Sequence, residues 1–165
     1  MIAARSFATP HTFVDQPRPL AEVLAFREPA VIAAFRARWD VSAADADELW
    51  LDLLRWLWLC AHDRGQSRAI TASMTLVDEL WHAFILSTRA YAWFCADYLG
   101  GYVHHQPGDA HADASPEAAR LAMRAQIADV HDLLGAEVAI RWYQGYAQRY
   151  PSAALDGLVR ARGAR

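Results

Sequence analysis

From Glu48 to His62 the chain carries four polar residues, Glu48, Asp52, Arg55 and His62, and every other position is apolar. Offsets of four, three and seven place these residues on one narrow stripe of an α-helix, so protein must cover the rest of its circumference. Ser42, with Asp45 three residues on, supplies an N-cap and an acid for the first turn, and a helix is predicted over about 43–63. A helix with so thin a polar stripe belongs at the centre of a bundle or against a second subunit. The run from Leu49 to Ala61 contains Asp52 and Arg55 and is shorter than the ~20 residues a bilayer requires, which excludes a membrane span.

The other apolar patterns share the helical period. Helices are predicted over about 20–27, over 29–38 behind Pro29, over 74–98 behind a Ser73 cap, and from Ser115-Pro116-Glu117 to about 134. A last one runs over 136–149 and ends at Pro151. Alternating strand patterns of useful length are absent. The fold class that follows is all-α, a single domain over 1–165 built as an irregular bundle of about five or six helices. An irregular arm, 1–19, with Pro10, Pro17 and Pro19 precedes it, and a tail is expected to fray from 152. At 165 residues, with 55% apolar residues and seven Trp, the chain can build one sizeable core.

Charge narrows the function. The formal net charge is −3 and all 16 basic residues are Arg, which gives no electrostatic case for nucleic acid. Residues 1–10 contain no apolar run long enough for a signal-peptide core, so a cytoplasmic location is the expectation. Cys60 and Cys95 lie in apolar helical patterns and are expected to act as small hydrophobes.

Chemistry concentrates in Val77-Asp78-Glu79-Leu80-Trp81-His82 and in the pair His104-His105. On a helix Asp78 lies one turn before His82 and Glu79 three residues before it, so both carboxylates flank the imidazole. Gly100-Gly101 stops that helix and lets the second pair fold back. Asp78, His82 and one of His104 or His105 then form a candidate site for a divalent ion, zinc or iron. Adjacent residues of an extended segment point in opposite directions, so only one of the two loop histidines should ligate. Glu79 could serve as a general base on a bound water, or fix the tautomer of His82.

Residues 77–86, Thr88-Arg89-Ala90-Tyr91, Cys95 and His104-His105-Gln106-Pro107 together resemble the glycine-rich domain-containing protein-like family. The resemblance implies Asp78, Trp81, His82, Tyr91, Cys95, His104 and His105 as signature residues. Phe84 stands where many members carry a second His.

Two readings stay open. In one the His/Asp cluster binds metal and could support a metal-dependent enzyme acting on a small molecule. In the other it is a buried hydrogen-bond network anchoring the 102–107 loop, in an interaction or adaptor protein that presents Trp50, Trp56 or Trp58 to a protein partner or to a second copy. A ferritin-like di-iron centre is excluded, because Leu59 precedes His62 and Ala128 precedes His131 where a second Glu-x-x-His would need Glu. Cys95 as a nucleophile paired with a loop His is disfavoured by its apolar face.

Overall fold

The structure is a computed structural model that describes residues 16–64, 68–105 and 115–160; positions 1–15 of the expected arm and 161–165 of the tail lie outside them. Among the described residues there are eight helices and no strand. They are α1 (Leu20–Ala25), α2 (Pro29–Arg38), α3 (Ala43–His62), α4 (Thr75–Leu86), α5 (Thr88–Tyr98), α6 (Pro116–Leu134), α7 (136–149) and α8 (Leu155–Leu158). The all-α expectation stands, and the count of five or six is too low for two reasons.

The first is a break inside the predicted 74–98 helix. Ser87 leaves helical geometry at φ −82 and ψ 56, and its N–H closes a tight turn on the Phe84 carbonyl at 3.0 Å. Ser followed by Thr favours such local alternatives to the helix ladder. The second is α8, which follows a 3-10 turn at Ser152–Ala154 in the stretch expected to fray. It is held because Asp40 N–H donates to the Leu158 carbonyl and Arg160 N–H to the Arg38 carbonyl, each at 2.7 Å, which pairs Val159 with Trp39.

The start signals behave as their chemistry requires at two of three sites. Ser42 accepts from Asp45 N–H at 3.0 Å and Ser115 from Ala118 N–H at 3.2 Å. Ser73 does not cap α4. A 3-10 turn, Ala72–Met74, intervenes, and the Ser73 hydroxyl donates to the Trp142 carbonyl at 2.6 Å.

As expected, α3 is central, packed by α1, α2, α4 and α6. Trp50, Leu53, Leu54, Trp56, Leu57 and Leu59 are all buried, and Trp50 donates from Nε1 to the Phe26 carbonyl at 3.1 Å. Trp58 is half-buried, with Nε1 on the Arg18 carbonyl at 2.9 Å. The surface that Trp50 and Trp56 were to offer a partner is therefore core, because α3 is enclosed nearly all round, and Trp58 keeps only part of its surface. Phe26 fills the space beside α5, its ring 4.7 Å from that of Phe94 and 5.3 Å from that of Tyr98.

The polar stripe of α3 faces α7. Asp52 is 0% exposed and accepts four hydrogen bonds: from Arg141 Nε at 2.7 Å and Nη2 at 2.8 Å, Arg55 Nη1 at 2.8 Å, and Tyr146 Oη at 2.6 Å. Arg141 opens a π-helical stretch, Arg141–Gly145, within α7.

Burial pushes the Tyr91 and Tyr146 hydroxyls well above the ordinary phenol value of 10.0, Tyr146 also because Asp52 lies against it. These raised folded values stabilise the protein fully below pH about 10, where both states hold the proton. Above it the unfolded chain ionises first and stability falls. Chemical denaturation across pH 9–11.5 should show that decline, and Tyr146→Phe should make it shallower by about 1.4 kcal/mol per pH unit. An equal slope in the variant would refute the assignment.

Candidate metal centre

Three of the expected ligands converge. Asp78 Oδ1 lies 2.8 Å from His105 Nε2, and Asp78 Oδ2 lies 3.6 Å from His82 Nδ1. The His82 and His105 rings are 4.4 Å apart between centroids, tilted by 53°. One ligand atom from each of the three residues can be chosen so that all lie within 4.8 Å of one another. The side chains are 29% exposed for Asp78, 45% for His82 and 11% for His105, so the cluster opens to solvent on the His82 side.

Helix α4 supplies Asp78 and His82 one turn apart, on a flank of the face that buries Val77, Leu80, Trp81 and Phe84. His105 arrives by a longer route. Gly100 takes φ +70, a left-handed geometry that favours glycine, and Gly101 N–H reaches back to the Cys95 carbonyl at 3.1 Å. Arg64 then holds three carbonyls of the turn, Leu99 at 2.7 Å, Gly101 at 3.2 Å and Tyr102 at 3.3 Å. Beyond it side chains alternate in burial, with Val103 buried, His104 exposed and His105 turned in against the edge of Trp81, 4.4 Å between ring centroids.

His104 is not part of the cluster; its ring lies beside that of Tyr102, 4.8 Å between centroids. Glu79 pairs with Arg38 of α2 at 3.4 Å. To act on a bound water it would have to leave that guanidinium. Cys95 is buried, and burial holds its thiol above the usual range, which fits a packing role and not a nucleophile.

Trp81 and Tyr91, which the resemblance implied as signature residues without a role, aim the loop. The Tyr91 hydroxyl donates to the Val103 carbonyl at 2.6 Å and accepts from Trp81 Nε1 at 3.0 Å. Ten residues of unbroken helix would rise about 15 Å between Trp81 and Tyr91. The break at Ser87 turns α5 back and lets the two side chains meet. No Pro or Gly announces that break.

Fold and site together define an all-helical protein with a His/Asp cluster at a helix–loop junction. The chain belongs to the UCP032817-like family, whose model matches residues 25–131. No curated protein and no solved structure matches it. The resemblance to the glycine-rich domain-containing protein-like family is thereby corrected: the family match spans residues 77–107 and names a different family.

Proposed function

We propose that the protein binds a single divalent ion, zinc or iron(II), through Asp78, His82 and His105. The observation that carries this reading is the spacing of the three ligand atoms. Ligand bonds of about 2.0–2.2 Å place neighbouring donors roughly 3.0–3.5 Å apart on a four- to six-coordinate ion. The separations of 2.8 Å from Asp78 Oδ1 and 3.6 Å from Oδ2, each from its own carboxylate oxygen, lie either side of that range, and one donor atom from each residue lies within 4.8 Å of the other two. His82, the most exposed of the three, has the freedom to close the widest gap. Two imidazoles and a carboxylate suit zinc or ferrous iron, and three protein ligands leave positions for water or a substrate. A metal-dependent enzyme is the form this reading takes if those positions are used.

A second reading has its own observation. At 2.8 Å, Asp78 and His105 also make a complete hydrogen bond when Nε2 carries the proton, and that bond docks the loop on α4 without an ion. Melting wild type and His82→Ala, each after metal loading and each with and without chelator, separates the two. A metal centre gives a chelator-sensitive wild type and a chelator-insensitive variant, since an ion bound only by the folded state stabilises it. A wild type that holds no ion and melts alike with chelator would leave the latch as the function of the cluster.

A further inference from the structure

We infer that Tyr91 is a positioning residue of the centre: its hydroxyl sets the register of the 102–105 segment, so that His105 and not His104 faces Asp78 and His82. This deepens the metal reading, and only its consequence for affinity rests on that reading.

Burial alternates along the 102–105 segment, exposed at Tyr102, buried at Val103, exposed at His104 and turned in at His105. A slip of one residue would therefore turn His105 out and His104 in, and either imidazole has the chemistry to bind. Composition cannot choose between two adjacent histidines; something must grip the chain at a fixed residue. Val103 is that residue. Its side chain is 7% exposed and its carbonyl takes the Tyr91 hydroxyl at 2.6 Å.

Tyr91 is itself held from several sides. Its residue is 0% exposed, Phe84 packs edge-on against its ring at 5.1 Å, and Trp81 Nε1 holds the oxygen from the other side at 3.0 Å. Trp81 also packs against His105, so one indole touches both the register pin and the histidine that the pin delivers. Arg64 grips the carbonyls upstream, firmly at Leu99 before the glycines at 2.7 Å and more loosely at Gly101 and Tyr102, at 3.2 Å and 3.3 Å. The last fixed point before the histidines is the Val103 carbonyl.

Tyr91→Phe tests this because it keeps the ring and removes only the donor. In metal-free protein, NMR should show a cross-relaxation contact between the Trp81 and His105 rings in wild type. In Tyr91→Phe that contact should be lost or shared with His104. With zinc, Tyr91→Phe should bind about 10–100-fold more weakly, the usual range for loss of a group that orients a ligand. Adding His104→Ala should weaken the variant further while leaving wild type unchanged, since His104 reaches the ion only when the register is free. A merely structural role for Tyr91 would lower the melting temperature without exchanging one histidine for the other. A Tyr91→Phe protein that keeps the Trp81–His105 contact overturns the inference. If wild type binds no zinc, the metal reading fails while the ring contacts still decide the role of Tyr91.

Discussion

Alanine at His105 should lower zinc affinity more than about 100-fold, while alanine at His104 should leave it within about twofold of wild type. The two residues are neighbours of identical chemistry, so the contrast isolates geometry. His105 Nε2 lies 2.8 Å from Asp78, whereas His104 lies beside Tyr102 on the exposed side of the segment. Removing a direct ligand should exceed the ~10–100-fold cost of losing a group that merely orients one. The apo protein should notice the same substitution far less. Asp78 is 29% exposed and can take water in place of the imidazole, so the lost hydrogen bond costs about 1 kcal/mol. Metal at 100 times its dissociation constant would add roughly 2.7 kcal/mol to wild type and little to His105→Ala. Titration against a chromophoric chelator measures the affinities directly. Equal losses at the two positions would mean that the loop does not hold the register seen here.

What was legible in the sequence was whatever depended on neighbours along the chain. Ser42 and Ser115 cap helices because capping involves residues three apart, and α3 is central because its own apolar width demands cover. Asp78 and His82 meet because four residues on a helix are one turn. What was not legible depended on residues distant in sequence or on competition between similar conformers. The apolar period runs through Ser87 without interruption, so only the weak preference of Ser87-Thr88 marks the turn there, although the Trp81–Tyr91 contact requires it. The choice of His105 over His104 is made at Val103, by a hydroxyl 12 residues away. Asp52 read as part of a polar stripe, yet the partners that bury it lie 89 and 94 residues on, in α7. Trp50 and Trp56 read equally well as surface or core, and only the packing around α3 decided.

The same Asp52 carries the second large expectation: Asp52→Ala should destabilise the protein by about 3–5 kcal/mol, the range for breaking a buried ion pair from one side. The carboxylate is 0% exposed and satisfies two guanidiniums and a phenol, so its removal strands Arg141, Arg55 and Tyr146 together. Arg141 holds the carboxylate through two nitrogens, and those hydrogen bonds raise its already high proton affinity against the opposing effect of burial; a guanidinium stays charged even without them, so it cannot escape by losing charge. Asn should do little better than Ala, because its amide turns a donor toward donors that Asp52 met with acceptors. A domain's whole stability is about 5–15 kcal/mol, so the loss should be plain in urea denaturation. The pairing makes a sharper test than the single change. If the penalty is the stranded charge, Asp52→Leu with Arg141→Met should recover the share of the loss that Arg141 carries, leaving that of Arg55 and Tyr146, since an apolar pair of similar volume can replace a buried ion pair at little net cost. If instead the carboxylate is needed to hold the π-helical turn at Arg141–Gly145, the double variant should stay as unstable as the worse single one, and the electrostatic account would be the part to abandon.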